Sequence, residues 1–505
     1  MRPAPVFQLA LSGGGYRAML FHIGSLRRLN DARLLSRLSI VSSVSGGSIT
    51  AGILAHRWPL LIFDNDGRAE NFPDVIERPL RALADQTLDS SSILGGLAPF
   101  QSSGELQVKK FDKHLFNGAK LADIVPGGKV TAMQRPRPLF IFNATSLQTG
   151  ERWQFRARAM GGLQTYWTEP QDISLSEAVA ASSGFPPFLS PLKLDLERSG
   201  KPRRWFDCSE RLDNPFGIDY RNEPVRIIPE SQMPKFRKSV HLLDGGLRDN
   251  LGVDPLDEIN RIRDLRMLEI IRPTTATFIS DGGRTYNVEE NPSTMWQSQL
   301  MRVLDIVADE PDQLRIAKLV RDGNTRINTL LFNTGLPRPP SNCTGETTWT
   351  EQVLLETKSG ENALQRAHNT YAYWSIRRMP KLHNGYDCPI NPRTWMSEEV
   401  QSLSGVPTRM KKMERELQER LINWGYVATQ HGMPYIDFLW TNDWRAFTLL
   451  PCQIPYPDIS PTNSKVPVSA LDAKCLNAKP EMKNVIPRLD SSVPAPDWFP
   501  SLLSK

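Results

Sequence analysis

The chain opens with an apolar run, Val6 to Leu11, that stops at Ser12-Gly13-Gly14-Gly15. Past the glycines the period changes. Met19, Leu20, Ile23, Leu26 and Leu29 recur at steps of three and four, which marks one apolar face of a helix. A second apolar run, Leu38 to Val44, ends in Ser45-Gly46-Gly47, and Ile49, Ile53 and Leu54 repeat the helical spacing. Strand, helix, strand, helix in that order predicts a parallel sheet covered by helices on both faces.

Regularity drops over 57–135, where Gly95-Gly96 and Gly127-Gly128 interrupt the pattern, and this stretch reads as an insertion of short helices and loops. A strand is expected at Pro138–Asn143, and a helix at Leu175–Ser182 that Gly184 and Pro186-Pro187 stop. Residues 199–238 are polar and rich in proline and arginine, as suits a surface excursion. Val240–Leu243 reads as a buried strand ending in Asp244-Gly245-Gly246, and Met267–Ile271 as the last strand of the sheet. Residues 333–350 read as a linker. Met410, Met413, Leu417, Leu421 and Trp424 form an amphipathic stripe, expected of a helix docked on the surface. One domain over 1–430 is therefore expected, with a Pro-rich extension at 431–505. The insertions at 57–135 and 199–238 are candidates for a lid or a membrane-facing surface.

Composition narrows the class. A chain of 505 residues with 40% hydrophobic and 23% charged positions is globular and has ample material for a core. Its 61 basic residues barely exceed its 55 acidic ones, which argues against a nucleic-acid footprint. The five cysteines lie far apart and in no metal-finger spacing, so zinc is not expected and a reduced intracellular setting fits. No apolar run approaches the roughly 18 residues that span a bilayer. A cytoplasmic protein with peripheral membrane contact is the expectation.

Two strand-to-helix turns at one rim of a parallel sheet can face each other. One here offers a hydroxyl on a sharp bend and the other offers glycine N–H groups, a pairing that suits acyl transfer. Ser43-Val44-Ser45-Gly46-Gly47 approximates a nucleophile elbow, in which small residues flank the serine because the turn is too tight for side chains. A serine that merely caps the next helix is the competing reading. Gly13 to Ala18 also fits a dinucleotide fingerprint, but that reading needs an acid at the end of the second strand, and the run ends in Val44-Ser45-Gly46.

A serine nucleophile needs a base. His22 lies mid-helix among apolar residues and reads as a core group. His368, His383 and His431 would permit a Ser…Asp…His order, yet only one strand–helix unit precedes Ser45, unlike an α/β-hydrolase. Asp244, at the carboxyl end of a buried strand, is the better candidate. An ordinary aspartate, with a pKa of about 3.9, is too acidic by about 4 kcal/mol at neutrality. Burial raises carboxyls by up to ~3–5 units, so a serine–aspartate dyad is workable.

Gly13-Gly-Gly-Tyr-Arg17, Ser43-Val-Ser-Gly-Gly47 and Asp244-Gly-Gly-Leu-Arg-Asp-Asn250 resemble, in order, the signatures of patatin-like phospholipases, and further stretches resemble bacterial members. These are Phe142-Asn-Ala-Thr145 with Thr149-Gly150, Ala181-Ser-Ser-Gly-Phe-Pro-Pro187, and Glu419-Arg-Leu-Ile-Asn-Trp-Gly-Tyr426, so the likeness runs patchily from about residue 5 to 428. The resemblance implies a three-layer α/β fold with a mostly parallel central sheet flanked by helices. It implies a lipid acyl hydrolase of phospholipase A type, with Ser45 as nucleophile and Asp244 as base. It places the oxyanion hole at Gly13, Gly14 and Gly15, with Arg17 adding positive charge, and calls for no metal or organic cofactor. The implied partner is a phospholipid or other acyl lipid, met in transient contact with a membrane surface; no nucleic acid is expected, and oligomeric state stays open. A neutral-lipid or small-ester hydrolase and a catalytically impaired scaffold are the alternatives. Ser43 and Ala18 stand where the family commonly has glycine, so altered turn geometry is expected.

Overall fold

The described strands of the computed structural model form one mixed, eleven-stranded sheet. The structure describes residues 7–88, 103–128, most of 131–198, 203–206, 238–259, 276–283, 311–318, 370–377, 402–433 and 454–459, with a few isolated positions between. Five neighbouring strands run parallel, in the order β11 (Thr370–Ser375), β10 (Ala276–Asp281), β1 (Phe7–Leu11), β2 (Leu38–Val44) and β3 (Leu139–Ser146). Beyond β3 the sheet turns antiparallel through β4 (Arg152–Phe155), β5 (Met160–Gly162), β6 (Tyr166–Thr168) and β8 (Trp205–Phe206). β7 (Leu192–Asp195) pairs with β9 (Ser239–Asp244), which in turn pairs antiparallel with β3.

Side-chain alternation makes three layers of this sheet. Phe140, Phe142 and Phe278 point into the larger core. That core is shared with α1 (Gly15–Asp31), α2 (Gly46–Arg57) and α6 (Arg415–Gly432), whose buried residues include Leu20, Ile53 and Ile422. Their strand neighbours Leu139, Ile141 and Ile279 point the other way, into a smaller core with Leu256, Ile259 and Ile316. The insertion after α2 contributes α3 (Arg78–Ala84) and α4 (Ser103–Phe111) among short turns. α5 (Leu175–Ser182) starts at a capping box, in which the Glu177 N–H donates to Ser174 Oγ (3.1 Å) and the Ser174 N–H to Glu177 Oε2 (2.8 Å).

One expected strand falls outside the described residues, and one expected helix lies deeper than its stripe suggests. Met267–Ile271 lies outside the described residues, and the strand beside β1 is the following segment, β10, flanked by β11 nearly a hundred residues later. The stripe expected of a docked surface helix is also displaced and deeper. Met410 and Met413 precede α6, whereas Leu421 and Trp424 are wholly buried within it. α6 meets α1 backbone to backbone: a Cβ on Gly425 would sit 1.9 Å from the Phe21 carbonyl oxygen, and one on Gly24 1.9 Å from that of Ile422. Neither backbone can yield without separating the helices. Gly425→Ala is therefore expected to lower stability by about 1–3 kcal/mol, read as a drop in Tm; an unchanged Tm would show that α6 is not packed this way.

Candidate active site

β2 delivers Ser45 at its carboxyl end and α2 begins immediately after it. Ser45 has φ 51° and ψ −119°, a left-handed conformation that costs a non-glycine residue roughly 1–3 kcal/mol. The turn is held from both sides. The Ser45 N–H donates to Ser182 O (3.2 Å) and Ser182 Oγ (3.1 Å), and its carbonyl accepts from Ser48 (2.9 Å) and Ile49 (3.2 Å). Its flanking glycines are required by contact. A Cβ on Gly46 would lie 2.1 Å from Gly15 O, and one on Gly47 2.4 Å from Leu11 O. The Ser45 hydroxyl makes no capping bond to α2, so the competing role as a helix cap does not apply. Ser43 causes no distortion of the turn. It is a regular β2 residue, in register with Leu11 and Phe142, and its hydroxyl donates to Ile141 O (3.1 Å).

Register explains how Asp244, from an antiparallel strand, reaches the same rim. β3 overhangs β2: Val44 pairs with Asn143, and from Ala144 onward that edge of β3 is taken over by β9, with Asp244 opposite Ala144. β4 occupies the other edge of β3 from Phe142 to Thr145. β2 and β9 therefore meet end to end along one edge, and their terminal turns carry Ser45 and Asp244 to the same point. Asp244 is only 2% exposed. Burial pushes its carboxyl up to about 7, against opposing pulls from the Gly246 N–H and the Ser45 hydroxyl. Oδ1 accepts the Gly246 N–H at 2.8 Å. Oδ2 meets no donor at full hydrogen-bond geometry, so the hydroxyl acts on the carboxyl through a loose contact. Such looseness is common where no ligand is bound.

The glycine loop lies against this pair, and its members are not equivalent. A Cβ on Gly13 would come within 3.2 Å of Ser45 Cβ, but the Gly13 N–H is already donated to Asn250 O (2.9 Å). Gly13 therefore has no amide to offer an oxyanion. The N–H groups of Gly14 and Gly15 have no partner among the described residues, and their φ angles of 141° and 60° favour glycine. Arg17 is fully buried and holds the loop from behind. Nε donates to Gly282 O (3.0 Å), Nη1 donates to Val406 O, and Nη2 lies 2.8 Å from where a Cβ on Gly14 would sit. Nε and Nη1 thus tie the loop to backbone carbonyls of two distant segments. The segment before α6 covers the loop, with the Tyr16 N–H donating to Arg409 O (3.1 Å).

Among the described residues no histidine hydrogen-bonds to Ser45. His22 contacts Ser12 O through Nε2 and Ser280 Oγ through Nδ1, both at 2.9 Å, and burial lowers it to about 4. All five cysteines, together with His368 and His383, lie outside the described residues, as does most of 199–238. The exposed apolar side chains Leu60, Ile62 and Met133 of the 57–135 insertion gather beyond the carboxyl end of α2, the end opposite Ser45. No described helix is long and apolar enough to cross a membrane. Asn250 and Ser182 lie within the motif stretches, and each bonds to a site turn through its backbone carbonyl, which residue type does not reveal.

Fold and site together define an α/β protein that sets a serine against a buried acid. Residues 9–257 match the model of the patatin-like phospholipase family, and this region of the chain belongs to that family. No curated protein matches the chain in sequence. Among solved structures, human GIVD cytosolic phospholipase A2 is similar at TM-score 0.40 and 14% identity, over 88% of this chain and 63% of that one. The same human protein in complex with methyl gamma-linolenyl fluorophosphonate gives TM-score 0.38 and 14% identity, over 88% and 59%. VipD from Legionella pneumophila gives 0.28 and 13%, over 86% and 67%. This chain thus spans less than two thirds of the human protein's length.

Proposed function

We propose that this protein is a serine hydrolase of acyl lipids, of phospholipase A type, working through Ser45 and Asp244. One observation carries the reading: a serine hydroxyl unused as a helix cap faces a buried carboxyl held near neutrality, one oxygen of which has no well-formed bond. Ionised Asp244 takes the Ser45 proton as Oγ attacks the ester carbonyl. The Gly14 and Gly15 N–H groups receive the developing oxyanion at the start of α1, where the helix dipole favours negative charge. Protonated Asp244 then gives its proton to the departing alcohol. In the second half it accepts a proton from water, which attacks the acyl-enzyme, and returns that proton to Ser45 Oγ as the acid departs. Family membership supports a lipid ester as substrate.

A fluorophosphonate is expected to label the wild type and not Ser45→Ala, and phospholipid vesicles should release free fatty acid with untreated wild type but not with Ser45→Ala or with wild type that has been labelled. Cleavage of triglyceride emulsions or small esters alone would assign a different substrate to the same pair. Absence of label on folded wild-type protein would point to a binding scaffold. Because Asp244 must be ionised to accept the proton, kcat/KM on a soluble p-nitrophenyl ester should rise with pH through about 7 and level off above it. A limb near pH 4 would remove Asp244 from the role.

A further inference from the structure

Ser182, the last residue of α5, touches both site turns at once. Its carbonyl oxygen accepts the Ser45 N–H (3.2 Å) and the Gly245 N–H (3.3 Å), bridging the nucleophile turn and the aspartate turn through one atom. Its hydroxyl accepts a second bond from the Ser45 N–H (3.1 Å), donates to Asn143 O (2.6 Å) and contacts Ser48 Oγ (2.8 Å). Ser48 Oγ in turn donates to Ser43 Oγ (3.0 Å). Two residues on, Gly184 O accepts the Asp244 N–H (3.1 Å). All of these hydroxyls are fully buried, where an unmade hydrogen bond is not made good by water.

We infer that Ser182 is a positioning residue that sets the spacing of Ser45 and Asp244, with Ser48 as its support; the inference rests on the dyad proposed above. The strained φ of Ser45 needs an outside restraint, and β2 stops just before it. The bifurcated acceptance of the Ser45 N–H by Ser182 O and Oγ supplies that restraint, and the shared carbonyl transmits it to the turn after Asp244. The proton count fixes the part of each serine. Ser43 donates to Ile141 O and Ser182 to Asn143 O, so the single Ser48 proton must choose between Ser43 Oγ and Ser182 Oγ. Removing the Ser43 hydroxyl sends the Ser48 proton to Ser182 and leaves the restraint whole. Removing that of Ser182 or Ser48 does not.

The test compares Ser182→Ala, Ser48→Ala and Ser43→Gly on a soluble p-nitrophenyl ester, with kcat expressed per fluorophosphonate-reactive site. Ser182→Ala should lose about tenfold or more in kcat with KM within about twofold, since misplaced reacting groups slow chemistry rather than binding. Its acid limb should also move upward, because only burial, the Gly246 N–H and the Ser45 hydroxyl act on Asp244, and a displaced hydroxyl pulls it down less. Ser48→Ala should move both readouts in the same direction by less, and Ser43→Gly should stay within about threefold of wild type. A Ser182→Ala enzyme with wild-type kcat per labelled site and an unmoved limb overturns the inference. If that variant does not fold, an unmoved Ser48→Ala profile does so. Failure of the dyad itself shows separately, as wild-type hydrolysis that survives Ser45→Ala.

Discussion

Replacing Asp244 by asparagine is expected to abolish ester cleavage and, at pH 8, to make the folded protein more stable. The loss follows from removing the proposed base, worth about 10²–10⁴ in rate. Shape is kept, because the amide oxygen still accepts the Gly246 N–H that Oδ1 now holds at 2.8 Å, and the amide nitrogen takes the place of the unfilled Oδ2. The gain follows from burial. Burial gives Asp244 a pKa of about 7 when folded, against an ordinary carboxyl value of 3.8. The folded state thus holds the proton more tightly than the unfolded chain. This favours folding in full below about pH 4, and the benefit is withdrawn as pH rises through 7, a change of roughly 4 kcal/mol. Asparagine carries no such penalty. Denaturant titrations of both proteins at pH 5 and pH 8 should therefore show the variant ahead mainly at pH 8. A variant weaker than wild type at pH 8 would mean that Asp244 is ionised and well paired in the folded state, and so not a poised base.

Much of the parallel half was legible in the sequence, because strands buried on both faces are continuous apolar runs, and the first two are each followed by a glycine turn into a helix. Val6–Leu11 and Leu38–Val44 announce β1 and β2 in this way. β11 was not legible. Thr370–Ser375 mixes tyrosine and tryptophan with small residues nearly a hundred positions after β10, and no local pattern ties it to β10. The antiparallel direction of β9 was equally hidden, since Val240–Leu243 has the same apolar run as a parallel strand. At the candidate site, residue type and spacing singled out Ser45, Asp244 and the glycines. They could not show that the Gly13 amide is spent on Asn250 or that Arg17 faces carbonyls behind the loop, because both depend on backbone atoms of distant segments. Ser43 illustrates the same limit from the other side. Its departure from glycine suggests a disturbed turn, whereas the unusual angles belong to Ser45 and the Ser43 hydroxyl is absorbed by Ile141 O.

Asp281→Ala is expected to cost about 3–5 kcal/mol of stability, the range for leaving a buried charge without its partner. Asp281 ends β10 and is wholly buried. Oδ1 accepts the Gly283 N–H (2.8 Å), and Oδ2 accepts Tyr373 OH (2.6 Å), Ser375 OH (3.0 Å) and Arg377 Nη2 (2.7 Å), all three from β11 and the residues after it. Burial alone would push this carboxyl up, but Arg377, with the Tyr373 and Gly283 donors, overcomes it and holds the group well below the usual carboxylate range. The sign is therefore opposite to that of Asp244: its contribution is present above about pH 4 and is lost as pH falls further. Wild type should weaken steeply below pH 4, and Asp281→Ala should show a shallower acid dependence from a lower starting point. The turn beside Asp281 also carries the glycine loop, since Gly282 receives Arg17 Nε on its carbonyl (3.0 Å) and gives its N–H to Ser12 Oγ (2.8 Å). The fraction of Asp281→Ala that remains folded should for that reason lose kcat as well, with Ser45 still open to a fluorophosphonate. A variant within about 1 kcal/mol of wild type, on a scale where surface changes stay within about 0.5, would mean that Arg377 finds another partner and that β11 is not clamped to β10 through this carboxylate.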